Sequence, residues 1–168
     1  GGITRAPGPD GDLWGRSGTP EALGAAARAS VQRLGVDVID LYFLHRHDPA
    51  VPFAEQVGGL AAVKADGIAR TIGLSNVTLA MLDRALELVG GPDEGGIAAV
   101  QNEYSARYRA DADVLARCIE RGIAFLPWSP LGGASQAGEL GSRYAAFAEV
   151  AAQREISPQQ VALAWLLA

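Results

Sequence analysis

IDLYFLHRHDP, residues 39–49, is the stretch that decides the fold. Its near-continuous apolar run predicts a strand over residues 39–45 that is buried on both faces, as strands of parallel sheets are. Side chains alternate along a strand, so Leu41, Phe43 and His45 share one face and that row ends on a titratable group. Since α/β folds bind ligands at the carboxyl ends of their strands, His45 is a candidate site residue.

The rest of the chain alternates helices with strands. Apolar runs predict three further strands at 69–75, 97–102 and 123–128. Residues 1–18 and 130–142 are rich in glycine and show no regular spacing of apolar residues. We therefore expect both segments to be loops. Helical spacing predicts helices that begin at Thr19-Pro20, around Phe53, around Leu79 and at Asp111, then one through Tyr144 and one opened by the capping box at 157–160.

The strand ends follow one another at regular intervals. From His45 to Ser75 is 30 residues, from Ser75 to Gln101 is 26, and from Gln101 to Trp128 is 27. This regularity favours a (β/α) barrel over an open sheet, in which a switch of direction interrupts the period. A complete barrel needs about 250 residues. The predicted fold class is therefore α/β, a partial parallel (β/α)8 TIM barrel with about four strands, in one domain over residues 1–168.

The composition of the chain argues against nucleic-acid, membrane and metal partners. The chain carries a net charge of −5, which gives no basic footprint for nucleic acid. No run approaches the roughly 18 apolar residues of a membrane span. A single cysteine excludes an internal disulfide, and His45 with His47 lacks a third ligand at metal-binding spacing. We expect a cytoplasmic protein without a metal, a membrane anchor or a nucleic-acid partner.

Each predicted strand ends with side chains that can form hydrogen bonds. Because the carboxyl ends of barrel strands meet at one rim, we expect these side chains to converge. Singly, each has a simpler structural explanation: a histidine bonded to a carbonyl, a helix cap, a satisfied buried amide and a packed indole. The residues are His45, Ser75 with Asn76, Gln101 with Asn102, and Trp128 with Ser129.

Three other positions stand out. Cys118 shares a helix face with Val114 and is expected to be an inert buried thiol. Pro127 donates no ladder hydrogen bond, so we expect strand pairing to stop there. Trp14, in the first predicted loop, either covers a pocket or shields apolar surface, and the sequence does not choose between the two.

Taken together, IDLYFLHRHDP, IGLSN, VQNEYS and LPWSPLGG resemble the aldo/keto reductase superfamily in order and spacing. The resemblance runs through nearly the whole chain and is closest to bacterial aryl-alcohol-dehydrogenase-like or channel-β-subunit-like members. It implies a barrel that binds NADPH, or NADH, in extended form across its rim. It also implies reduction of small aldehydes and ketones by hydride transfer, with oligomeric state left open.

The resemblance further implies roles for individual residues. His45 falls on the family histidine that orients the substrate carbonyl. The implied cofactor contacts are Ser75, Asn76 and Gln101 at the nicotinamide carboxamide, Trp128 on the nicotinamide ring, and Ser129, Leu131 and Gly133 at the pyrophosphate.

The family's catalytic Tyr, Asp and Lys have no match in these 168 residues, nor has the segment that grips the 2′-phosphate. We therefore expect the chain to be a fragment that is inactive by itself. Two alternatives stay open at this point. One is a nucleotide-binding regulatory subunit of the channel-β type with little catalysis, and the other is a different barrel, such as a phosphate-binding isomerase or lyase.

Overall fold

A computed structural model describes residues 1–4 and 14–168. The strands are β1 (Gly2–Thr4), β2 (Gly15–Ser17), β3 (Ile39–Leu44), β4 (Ala69–Ser75), β5 (Ile97–Gln101) and β6 (Ala124–Phe125). The helices are α1 (Pro20–Leu34), α2 (Phe53–Ala65), α3 (Leu79–Val89), α4 (Ala112–Glu120), α5 (Leu140–Arg143), α6 (Ala145–Arg154) and α7 (Pro158–Leu167), with short 3-10 turns at Pro92–Glu94 and Ala137–Glu139. The chain divides into two compact units, residues 1–101 with 114–126 and residues 102–113 with 127–168.

A parallel sheet in the order β3-β4-β5-β6 forms the centre of the first unit. Leu44 pairs with Leu74 and Ser75 pairs with Gln101, so the carboxyl ends of the first three strands are in step. The sheet is closed off from water by fully buried aliphatic side chains, among them Leu44, Leu74 and Val100. This packing aligns the carboxyl ends of the strands, and with them the polar residues that lie there.

Local helix signals are confirmed in detail. The Thr19 side chain accepts a hydrogen bond from the backbone N–H of Ala22 (3.2 Å), and Gly35 ends α1 with a left-handed φ of 67°. The predicted capping box of α7 is present, with Ser157 and Gln160 bonded reciprocally. These ends depend on neighbours in sequence, which is why the sequence predicts them well.

Two predicted loops contain regular structure. In the first, β1 and β2 pair antiparallel, with Ile3 opposite Arg16, while residues 5–13 of that loop lie outside the described residues. The loop predicted over 130–142 is also wrong in part, because it contains the 3-10 turn at Ala137–Glu139 and most of α5. Both segments are too short and too rich in glycine to show a hydrophobic period.

The fourth strand is shorter than predicted. β6 covers only Ala124–Phe125, and Pro127 follows two residues later. Parallel pairing resumes as a single bridge between Glu103 and Trp128, so the expectation that pairing stops at Pro127 is wrong. Proline interrupts the ladder because it donates no hydrogen bond, but it leaves the next residue able to pair.

None of the helices in the described part of the chain is both long enough and apolar enough to span a bilayer.

Candidate functional site

Asn76 joins the carboxyl ends of three strands in the first unit. Its side-chain nitrogen donates to the carbonyl of His45 (2.9 Å) and to the Ser75 hydroxyl (3.0 Å). Its backbone N–H donates to the carbonyl of Gln101 (3.1 Å), and the Ser75 hydroxyl donates to the same carbonyl (2.7 Å). The structure thus brings His45, Ser75, Asn76 and Gln101 together, while their chemical roles stay predictions.

The backbone of Asn76 is left-handed, with φ of 57°. Only a few per cent of non-glycine residues adopt this conformation, which concentrates at functional sites. The simpler reading of Ser75-Asn76 as a helix cap is wrong, because Thr78 caps α3 through a hydrogen bond from Met81 N–H (3.3 Å). The conformation of Asn76 therefore serves the junction of strands and not the start of the helix.

His45 lies at the end of β3 with an exposed side chain. Its backbone is held on both sides, since its N–H donates to the carbonyl of Gly1 (2.8 Å) and its carbonyl accepts from Asn76. Burial of part of the ring lowers the pKa of His45 below its usual 6.5, and the positive charges of Arg46 and Arg16 act in the same direction. The imidazole is neutral at pH 7 and is able to donate one hydrogen bond.

The lowered pKa of His45 has a consequence for pH dependence. An NMR titration of the chain is expected to give a His45 midpoint below 6.5, assigned by loss of the signal in His45→Ala. Because the unfolded chain binds this proton more tightly, the contribution of His45 to folded stability is complete above pH 6.5 and is lost as pH drops through the folded-state pKa. A midpoint above 6.5 would contradict this environment.

An open cleft of about 450 Å³ adjoins the histidine. It is lined by Ile3, Trp14, Arg16, His45 and Arg46. Trp14, whose role the sequence left open, therefore lies on a cleft and not over closed apolar surface. The two arginines are functional candidates that sequence reasoning missed, because a lone arginine in a segment rich in glycine and proline, or directly after a strand, carries no motif.

Behind the cleft, a buried polar cluster holds the loop that follows His45. Asp48 is 7% exposed and accepts hydrogen bonds from the backbone N–H groups of Gly18 (2.9 Å) and Ala50 (3.0 Å). Gln56 is fully buried, and it accepts from Asp48 N–H (2.9 Å) and donates to the carbonyls of Asp48 (2.8 Å) and Val51 (2.7 Å). A side chain on Gly18 would collide with Asp48 and Gln56.

In the second unit, Trp128 begins a tight loop. Its backbone N–H donates to the carbonyl of Asn102 (2.9 Å), and its backbone carbonyl accepts from the N–H of Tyr104 (3.3 Å). Ser129 is left-handed with φ of 51°, and a hydrogen bond from Gly132 N–H to its carbonyl (2.8 Å) closes the turn. The predicted residues Ser129, Leu131 and Gly133 thus share one short, sharply turned segment.

Other reactive groups have structural explanations. Cys118 is buried, and burial raises its thiol pKa to about 11, so it is protonated and unreactive at neutral pH. Asn102, also buried, donates to the Asp111 carboxylate (3.0 Å). Among the described residues, no group of three or more His, Cys, Asp or Glu side chains is placed to hold a metal ion.

Comparison with known proteins gives a consistent result. The model of the aldo/keto reductase family matches residues 9–168. An uncharacterized oxidoreductase of Schizosaccharomyces pombe is 36% identical over 92% of this chain and 47% of its own length. Pyridoxine 4-dehydrogenase of Escherichia coli is 34% identical over 92% of this chain and 52% of its own length. The chain spans about half the length of the curated relatives it matches.

Solved structures show the same relationship. The thermostable aldo-keto reductase Tm1743, crystallised with the inhibitor epalrestat, matches with a TM-score of 0.78 and 27% identity over 89% of this chain and 53% of that one. An aldo-keto reductase of Klebsiella pneumoniae in complex with NADPH matches with a TM-score of 0.73 and 26% identity over 88% and 51%. The predicted fold class is confirmed as a partial parallel (β/α) barrel.

Proposed function

Because the chain belongs to the aldo/keto reductase family, we propose that the full-length protein reduces small aldehydes or ketones to alcohols with NADPH. The observation that carries this proposal is the Asn76 junction, which presents His45, Ser75 and Gln101 at the carboxyl end of one parallel sheet. Family members crystallised with NADP or NADPH support the choice of cofactor. The cytoplasmic location stays a prediction.

The polar groups of the junction suit a nicotinamide carboxamide. Within the part of the chain that the structure describes, the half-buried Gln101 side chain makes no hydrogen bond, so it has both a donor and an acceptor to offer. The two hydrogen bonds donated by the Asn76 amide nitrogen set the direction of its oxygen. A carboxamide needs this combination of donor and acceptor, and we propose that Ser75, Asn76 and Gln101 bind it.

NADPH, when bound, supplies the hydride. His45 holds one proton on a neutral imidazole at the edge of the cleft, where it donates a hydrogen bond to the carbonyl oxygen of the substrate. Such a donor stabilises the negative charge that develops as the carbonyl is reduced, and it fixes the orientation of the substrate.

The second unit is proposed to contribute its own cofactor contacts. The indole of Trp128 is only partly buried and offers a flat apolar face for the nicotinamide ring. The loop with Ser129, Leu131 and Gly133 has left-handed backbone at residues 129, 132 and 133. Turns of this kind expose backbone N–H groups to which a pyrophosphate can bind.

Gly1 indicates where a further catalytic residue belongs. The Gly1 nitrogen donates to the carbonyl of Phe43 (2.8 Å) and its carbonyl accepts from His45 N–H, which is the pattern of a parallel pair opposite Leu44. A residue before Gly1 would then lie opposite Phe43, on the face that carries His45. We propose that the family's lysine occupies this position in the full-length protein.

The 168 residues alone are expected to show no NADPH-dependent reduction of benzaldehyde, because the family's Tyr, Asp and Lys are not among them. NADPH oxidation followed at equal concentrations of this chain and of the full-length protein tests the expectation. Turnover by the chain alone would contradict it. A full-length protein that binds NADPH but reduces no aldehyde would instead favour the regulatory-subunit alternative.

A further inference from the structure

The described lining of the cleft beside His45 has a charge opposite to that of the whole chain. The chain carries −5 overall, yet two of the five described residues that line this cleft are Arg16 and Arg46. No carboxylate is among the described residues that line it. Guanidinium groups recognise planar carboxylates through paired, charge-assisted hydrogen bonds.

The wall that carries Arg16 is rigidly placed. Ile3 and Arg16 are partners across the β1–β2 ribbon, so they project from the same face of it. Gly2, with φ of 88°, lies so close to β3 that an added Cβ would be 2.8 Å from the Leu44 side chain and 2.9 Å from the Arg46 carbonyl. The ribbon is therefore seated directly against the segment that carries His45 and Arg46.

The remaining wall is aromatic. Trp14 is 48% exposed, so about half of its surface is available to a bound molecule, and Ile3 adds an apolar patch. The volume of about 450 Å³ lies within the ordinary range for small-molecule sites. An indole beside guanidinium groups suits a flat conjugated molecule with an anionic end.

We propose that this cleft selects planar carbonyl substrates that carry a carboxylate, with Arg46 and Arg16 binding the carboxylate and Trp14 stacking on the conjugated body. The proposal rests on the proposed reductase function, since it places the carbonyl at His45. Arg46 follows His45 directly in sequence, so the anion would be held within one side-chain length of the reacting group. The two arginines and Trp14 are then specificity determinants of the reaction.

The kinetic test uses the full-length protein with 4-formylbenzoate and its uncharged methyl ester. The wild-type protein is expected to prefer the acid, and Arg46→Gln is expected to lower the acid-to-ester ratio of kcat/KM at least about tenfold. Arg70→Gln is the matched control, because Arg70 lies at the opposite end of the sheet and pairs with Asp40 (3.1 Å). An unchanged ratio in Arg46→Gln would overturn the proposal, as would an equal loss for both substrates accompanied by a raised KM for NADPH.

A binding measurement separates this proposal from the proposed function. Without NADPH, 4-formylbenzoate is expected to quench tryptophan fluorescence saturably and the methyl ester to bind at least about tenfold more weakly. Trp14→Phe identifies the part of the signal that comes from the cleft. Selective binding without any turnover would contradict the reductase function alone, whereas turnover of both substrates with no preference for the acid would contradict only the proposed selectivity.

Discussion

Replacing His45 by alanine in the full-length protein is expected to lower kcat for aldehyde reduction by about 100-fold or more, with NADPH affinity little changed. The imidazole is a neutral hydrogen-bond donor at the edge of the cleft. Its loss leaves the developing alkoxide without that hydrogen bond. Steady-state kinetics and cofactor titration of the purified variant measure both quantities.

His47→Ala is the matched control for this experiment. His47 lies two residues further along the same loop, and its ring packs edge-on against Phe53 at 5.8 Å instead of lining the cleft. It is expected to leave kcat within about threefold of wild type. A His45→Ala variant as active as His47→Ala would show that His45 is only a strand-end residue bonded through its backbone.

Replacing Gln56 by alanine is expected to lower the free energy of unfolding of the full-length protein by about 3 kcal/mol, because three backbone groups lose a hydrogen bond and two of them keep no other among the described residues. These groups are the N–H and carbonyl of Asp48 and the carbonyl of Val51. The Asp48 carbonyl still accepts a hydrogen bond from Val51 N–H (3.2 Å). The Asp48 N–H and the Val51 carbonyl are left unsatisfied at a cost of about 1–3 kcal/mol each, and entry of water offsets part of the sum. Urea unfolding followed by circular dichroism measures the change.

Gln153→Ala provides the comparison for Gln56. Gln153 is exposed on α6, and its side chain donates a hydrogen bond to Glu149 (3.2 Å), one turn earlier on the same helix. Its replacement is expected to change stability by no more than about 0.5 kcal/mol. If the two variants unfolded at the same urea concentration, the buried cluster behind the cleft would not be an energetic support of the His45 loop.

The parts of the fold that could be predicted from sequence depend on local patterns. β4 has the predicted bounds of residues 69–75, and α1 begins after Thr19 and ends before Gly35 as its caps indicate. By contrast, two adjacent glycines in α2, Gly58 and Gly59, predict that this helix packs closely on a strand, because glycine inside a helix is otherwise unfavourable. The structure shows that Gly59 instead approaches Pro20 at the start of α1 and that Gly58 faces open space. Which element approaches a glycine is a tertiary property that no sequence window contains.

The candidate site also combines features that local sequence patterns predict with features that only tertiary contacts determine. The polar residue at each strand end is visible in the sequence because an apolar run stops there, as it does at His45, Asn76 and Gln101. The hydrogen bonds that tie them together, and the left-handed backbone at Asn76, depend on strand register. Gln56 carries no sequence signal at all, because a glutamine on an amphipathic helix ordinarily faces water.

Deuterium transfer tests the central claim most directly. The full-length protein is incubated with benzaldehyde and NADPH deuterated at C4, in separate reactions with the two epimers, and benzyl alcohol is analysed by mass spectrometry. If the residues at these strand ends fix one face of the nicotinamide ring toward the carbonyl, the product carries deuterium from one epimer and not from the other. Equal transfer from both epimers, or none from either, would contradict the account.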